Sequence, residues 1–553
     1  MMKDRLRQQI CDALLACFEN KTLHSGIVPD VQIEVPGNPE HGDFASNLAM
    51  TMARAEKKSP RQVADALIAA LGTCDFLSKV EAAGPGFINF TLKPTCWYEV
   101  LDDIKVKGKE YGLSQVGQGR KVQVEFVSAN PTGPLHIGHG RGAAVGDAVA
   151  AILQATGFDV QREYYVNDAG NQVATLGRSI WERLREQNGE TVAFPEDGYQ
   201  GEYIRDLAAK LYEEDPAITK LEESEAVKRC TAFGISAVLD WIAADLKDFG
   251  ITFDNWFSEQ SLYDRNMVEI ELGKLAAKGL SYERDGALWL RTTDYGDDKD
   301  RVLIKSDGSP TYFASDVAYH MEKFDRGFER VIDVWGADHH GYVPRMKAVV
   351  AGLGHPPDDL EVLLIQMVNL LRDGQPFTMG KRSGNFVTLR EVVDEVGSDA
   401  CRFYFLMRRS DSQLDFDLEL AKRQSSDNPV YYVQYAHARV CSIMRNAEEQ
   451  GVALPEHGAV DLSCLILPEE LQLAKYLARY PETVIGAAQS CEPHRVVYYL
   501  QELAAQFHSY YNRQRVLVED SATTQARLYL VDGVRTVLAN ALNLLGVDAP
   551  ERM

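Results

Sequence analysis

The chain has 553 residues, is 45% hydrophobic and 25% charged, and carries a formal net charge of −23. That length predicts about three or four domains, and the composition is that of a soluble globular protein without low-complexity tracts. The acidic balance argues against nonspecific nucleic-acid binding over the whole surface, but a few well-placed Lys and Arg suffice for a local phosphate-binding face.

The sequence contains no run of about 18 apolar residues that would span a membrane. Its first residues lack the apolar core of a signal peptide and read as the start of an amphipathic helix. Nine cysteines, scattered from Cys11 to Cys491, form no Cys-x-x-Cys pair. A reduced, cytoplasmic protein without a structural zinc site is therefore expected.

Residues 1–107 read as an N-terminal α+β domain. Helical patterns over 3–19 and 59–71 surround short strands at 30–35 and 86–92, with turns at Pro36–Pro39 and Gly84–Gly86. Residues 108–427 follow as the expected catalytic domain. Lys121–Ser128 alternates, with Val122, Val124 and Phe126 on one face and Glu125 on the other. A helix over about 138–156 follows, with Ala144, Val145, Ala148, Val149 and Ile152 as its apolar stripe and Gly157 as its cap. A second strand covers 159–166. Strand, helix and strand within about 45 residues predict a Rossmann-type, doubly wound parallel sheet.

The stretch at about 180–300 is acidic and mostly helical, with short strands near 287–305, and reads as an insertion. The sheet resumes at 331–335. Strands at 361–372 and about 376–378 flank Arg372-Asp373-Gly374, a hairpin signal. From 428 to 553 the pattern is helical, giving a multidomain α/β chain with a C-terminal all-α bundle.

Ligands of such sheets bind beyond the carboxyl ends of the strands. Three polar clusters fall there: Glu125 to His139, Tyr165 to Asp168, and Gly336 to His340. Topology predicts that they converge in one crevice. Any one of them alone would more often be a satisfied loop group. His136 and His139 flank Gly138 where a strand gives way to a small-residue helix, an arrangement suited to a nucleotide triphosphate. Far along the chain, Phe377–Phe386 forms a basic, glycine-bearing loop. Its Lys381 and Arg382 can follow the charge of a leaving pyrophosphate.

With these residues in view, the chain resembles the class I aminoacyl-tRNA synthetases, and among them the arginyl-tRNA synthetases. His136-Ile137-Gly138-His139 matches the H-I-G-H signature. Met379-Gly380-Lys381 matches part of the K-M-S-K-S loop, with Thr378 and Gly380 where the fuller form has Lys and Ser. The arginyl type is carried by Glu125–Asn130, Tyr164–Gln172, Asn428–Arg439, Phe507–Asn512 and Leu544–Met553, so the similarity spans essentially the whole chain.

The resemblance implies that His136, Gly138 and His139 contact ATP and stabilise its α-phosphate under attack by the arginine carboxylate. Lys381, with Arg382, would hold the β- and γ-phosphates. Asp338 and His340 would serve the adenosine and amino-acid end, and no third ligand marks His339–His340 as a metal site. Ser128, Asn130 and His139 would meet the α-amino and carboxylate groups of arginine. Tyr312 and Asp316, helped by Glu125, would recognise its guanidinium, a planar five-donor cation that favours bidentate carboxylates. Tyr312 and Asp316 are four apart and share a face if a helix opens there.

The implied partners are L-arginine, ATP with Mg²⁺, and a tRNA that family members usually require for the first step. Neither zinc nor a membrane is implied, and a monomer is the family expectation. The N-terminal domain would contact the tRNA elbow through Pro36–Asn47. The C-terminal bundle would be the anticodon-binding domain, using Tyr431, Tyr435, His437 and Arg439 with Tyr510, Tyr511, Asn512 and Arg513. Aromatics at helical spacing are more often core than RNA platforms. A small nucleotidylyltransferase shares the His-x-Gly-His chemistry but needs no long helical domain. A non-catalytic relative would not need both His residues, Lys381, Tyr312 and Asp316.

Overall fold

Five parallel strands build the expected sheet. The computed structural model describes residues 2–377 and 387–553. Its central strands are β1 (Lys121–Glu125), β2 (Asp159–Val166), β3 (Asn255–Ser258), β4 (Arg330–Gly336) and β5 (Leu360–Ile365), in the order β5-β4-β1-β2-β3. The winding direction reverses beside β1, which places the ligand crevice at the carboxyl ends of β1 and β4. Val122 through Phe126 are all buried, as expected for a parallel strand covered on both faces. The alternation around Glu125 therefore separates two buried faces, one of them polar.

Helix α1 (Ile137–Ala155) crosses from β1 to β2 and packs closely because its contact residues are small. A Cβ at Gly146 would overlap the Phe126 side chain. Helix α2 (Tyr312–Asp325) precedes β4 and is buried along most of its length.

Several boundaries differ from expectation. Residues 30–35 form no strand: only Glu34 bridges Ala45. Pro29 and Pro36 bracket the segment and limit ladder pairing there. Phe44–Ser46 takes that place and pairs with Phe87–Leu92, which also pairs with Leu77–Ala83. The stretch expected as an insertion holds the helices Asn171–Gln187, Glu202–Glu214 and Glu223–Asp248 and a small sheet of Ser281–Arg284, Ala287–Leu290 and Arg301–Ile304. It also contains β3, so part of it belongs to the central sheet. Extended structure over 361–372 breaks after Ile365, and Val368–Arg372 joins a separate sheet with Gln375–Pro376 and Leu414–Asp417. Asp373 and Gly374 both have left-handed φ, +50° and +74°, as a two-residue hairpin of this kind requires.

The chain divides into two compact units. One comprises residues up to Gly108 with Ile443–Ala478 and Ser509–Val534; the other comprises Lys109–Ser442, Arg479–His508 and Arg535–Met553 and contains the central sheet. The helices beyond residue 428, among them Pro429–Glu449, His494–Arg513 and Ser521–Leu544, contribute residues to both units. Among the described residues, no helix is long and apolar enough to cross a membrane.

Candidate active site

The site begins at the N-terminus of α1. His136 is its N-cap, and its Nδ1 accepts the Gly138 N–H at 3.1 Å. His139 reciprocates: its Nδ1 accepts the His136 N–H at 3.3 Å, and the two rings stack with centroids 3.7 Å apart. An Nδ1 that accepts leaves the proton on Nε2, so each ring is a neutral Nε2–H donor. Partial desolvation by the neighbouring chain lowers the pKa of both, and His136 beside His139 helps bring the latter down to about 3. A Cβ at Gly138 would lie 2.9 Å from the His136 ring.

The chain beyond the basic loop is tied to this point. Ile137 N–H donates to the Val387 carbonyl at 3.0 Å, and Leu389 N–H donates to Leu135 at 2.8 Å. The loop residues named above, Lys381 and Arg382, lie outside the described residues.

A second part of the site grows from the end of β1. Val127 and Ser128 have φ of +68° and +40°, conformations that cost non-glycine residues energy and turn the chain sharply. The turn aims Ser128 Oγ at Glu125 Oε1, 2.8 Å away, while the same oxygen accepts the Tyr165 N–H at 3.1 Å. Asn130 Oδ1 accepts from Asn167 Nδ2 at 2.9 Å. Clusters predicted from two strand ends thus meet. Asp168 instead caps the turn after β3, bonding to Ser258 Oγ at 2.6 Å and Gln260 N–H at 2.9 Å.

Helix α2 supplies the opposite wall. Tyr312 is its first residue and 71% exposed, while Asp316, one turn on, accepts the Tyr342 hydroxyl. Burial pushes the Asp316 carboxyl up. Beneath these residues, three buried acids, Glu163, Glu125 and Asp333, stand in register on adjacent strands. Three carboxylates so close would repel unless cations were interposed. Lys323 Nζ, fully buried, donates to Glu125 Oε2 at 2.6 Å and to Asp333 Oδ1 at 2.8 Å. Arg326, three residues on, forks onto Glu163 with bonds of 2.5 and 2.9 Å.

Burial disfavours every one of these charges, so the partners decide the outcome. Asp333 is held down to about 2 by Lys323 and His320 against that burial, and Glu163 is held low by Arg326. Glu125 goes the other way: burial raises its carboxyl pKa, and Lys323 offsets only part of the rise.

Asp338, His339 and His340 lie exposed at the end of β4, where His340 Nδ1 contacts the Ala337 carbonyl at 3.1 Å. Among the RNA-contact candidates, Tyr511 and Asn512 are exposed. Tyr435 is half-buried against Tyr431 and bonds to Arg439 Nη2 at 3.0 Å. His437 departs from expectation. It is 3% exposed and its Nδ1 contacts the Pro550 carbonyl at 2.9 Å, so it is a core group. Tyr510 is likewise buried.

Lys323, Asp333 and Glu163 escaped the sequence reading, as did Glu259. That residue is buried, with Oε2 lacking a hydrogen-bond partner among the described residues, and its carboxyl is pushed up to about 7 by burial and by Asp316. Of these, only Lys323 has a sequence signal, the polar spacing Asp316, His320, Lys323 along one helix.

Comparison with known proteins identifies the family. A family model described as the class I (R) tRNA synthetase catalytic domain matches residues 100–412. The arginyl-tRNA synthetase N-terminal domain matches 4–92, and the DALR anticodon binding domain matches 433–553. A relative named arginine–tRNA ligase from Syntrophotalea carbinolica is 66% identical over 100% of both chains. Another of that name, from Citrifermentans bemidjiense, is 58% identical over 100% of both. The Thermus thermophilus arginyl-tRNA synthetase structure is 24% identical, covers 100% of each chain and shares the fold with a TM-score of 0.77. The chain belongs to the arginyl-tRNA synthetase family of class I aminoacyl-tRNA synthetases.

Proposed function

We propose that this chain is an arginine–tRNA ligase in which the reciprocally capped His136 and His139 stabilise the α-phosphate of ATP. Arginine's carboxylate attacks that phosphorus, pyrophosphate leaves, and arginyl-adenylate forms. The 2′-hydroxyl of the tRNA's terminal ribose then attacks the activated carbonyl and releases AMP. No protein nucleophile is required. Two neutral Nε2–H donors beside the backbone N–H groups of a helix N-terminus match charge that develops on phosphate oxygens.

In this reading Glu125, Asp316 and Tyr312 receive the guanidinium, while Ser128, Asn130 and His139 orient the α-amino and carboxylate end. Asp338 and His340 serve the nucleotide side, and Lys381 with Arg382 follows the leaving pyrophosphate. Mg²⁺ accompanies ATP as the counter-ion of its phosphates. Residues 1–107 serve the tRNA elbow and 428–553 the anticodon, with Tyr435, Arg439, Tyr511 and Asn512 as contacts. A cytoplasmic monomer completes the reading.

The observation that carries the proposal is the histidine pair at the N-terminus of α1, beside the point where the sheet changes direction. Arginine-dependent ATP–pyrophosphate exchange, with and without tRNA, followed by aminoacylation, tests it. Exchange that responds to lysine in preference to arginine would overturn the substrate assignment.

A further inference from the structure

Two residues placed at the guanidinium end, Glu125 and Asp316, come from different strand–helix units, yet one buried chain of polar contacts joins the Glu125 carboxylate to the Asp316 backbone. Asp316 offers its carbonyl to His320 Nδ1 at 2.8 Å, and His320 Nε2 meets Asp333 Oδ2 at 2.9 Å. The other oxygen of Asp333 takes Lys323 Nζ, whose next partner is Glu125. Lys323 also lies 4.3 Å over the Tyr319 ring, and Tyr319 donates to Glu163 at 2.6 Å. Glu125 is therefore gripped at both oxygens, by Lys323 on one and Ser128 on the other.

We infer that Lys323 is a positioning residue for amino-acid recognition: its buried ammonium holds the Glu125 carboxylate in place and aimed at the guanidinium site. The inference rests on the assignment of Glu125 to arginine. A cation placed only to neutralise the sheet could have paired with Asp333 alone. Lys323 bridges instead to Glu125, at the carboxyl end of β1 beside the crevice.

The groups facing Lys323 are Glu125 on β1, Glu163 on β2, Asp333 on β4, and Tyr319 of its own helix. Glu125 in turn faces Lys323, Asp333 and Ser128. Without the ammonium, burial and the neighbouring acids would favour protonated Glu125, which carries no charge to offer the substrate.

The test compares Lys323→Met, Glu125→Gln and the double variant in tRNA-dependent pyrophosphate exchange from about pH 6 to about pH 9. A further pair, Lys323→Met with Asp333→Asn, removes one cation and one anion together and serves if the single variant does not fold. In either Lys323 variant the arginine KM rises by about tenfold at the acid end. The ATP KM stays within about twofold, and kcat/KM for arginine falls as pH falls. The Glu125→Gln/Lys323→Met variant is no worse for arginine than Glu125→Gln alone, because both changes act through one carboxylate. A raised arginine KM in Glu125→Gln, with a flat, unchanged KM in the Lys323 variants, overturns the inference alone. An unchanged KM in Glu125→Gln overturns the assignment of Glu125 and this inference with it.

Discussion

His136 and His139 cap each other: each imidazole Nδ1 accepts a backbone N–H from the first turn of α1, and the rings lie face to face at 3.7 Å. Each ring is thereby both a helix cap and a donor at the reaction centre. His136→Ala and His139→Ala should each lower kcat by about 10²–10³, the usual loss of a preorganised donor, with a smaller change in the ATP KM. Steady-state ATP–pyrophosphate exchange at varied ATP measures both.

The same desolvation gives a stability signature. The folded pKa of His139 lies near 3 and its ordinary value near 6.5, so between those limits the unfolded chain binds a proton that the folded chain does not. Stability rises with pH across that window and is lost as pH falls through it. Replacing His139 with Asn should flatten the slope of urea stability against pH there by about one proton.

Gly138→Ala should impair catalysis more than folding. The added Cβ would press on the tip of an exposed imidazole, which can swing away at little cost to the core. We expect kcat to fall by about tenfold or more with the thermal midpoint nearly unchanged, read by calorimetry beside the exchange assay.

Arg402 is fully buried, with Nη2 on Asp147 and Nε on the Leu545 carbonyl at 3.0 Å. Arg402→Met leaves Asp147 with Arg162 alone and the Leu545 and Phe249 carbonyls without their guanidinium donor, and should cost about 1–3 kcal/mol, measured by urea denaturation. Arginine affinity in the surviving folded fraction should be unaffected.

The RNA-contact candidates separate by exposure. Tyr511→Ala, if a base stacks there, should cost about 1–3 kcal/mol of tRNA binding with no change in arginine KM, as read in aminoacylation. His437→Ala should instead lower the urea midpoint, because its imidazole is a core group bonded to Pro550.

The central βαβ unit and the His136–His139 pair were legible because their signals are local: a short alternating strand, a small-residue helix and a cap. Glu125, Asp316 and Tyr312 were reached through resemblance, and the helix start at Tyr312 places two of them one turn apart as expected. Lys323 was not legible. A Lys in a polar stripe reads as a solvated face, and its partner Glu125 is 198 residues away in sequence. His437 failed for the converse reason, since an aromatic polar residue on a helix looks the same whether it meets RNA or a backbone carbonyl. The segment at 30–35 alternates as strands do, and only its bracketing prolines hinted that pairing would stop at one bridge.

The row of Glu163, Glu125 and Asp333 has an evolutionary consequence. Each acid draws its neutralising charge from one helix, at positions three apart, so the strands and α2 cannot drift independently. A lineage that replaced Lys323 with a neutral residue should be found to have surrendered one of the acids beside it. Lysine kept at 323 wherever 125 and 333 are both acidic is the coevolutionary trace this packing should leave.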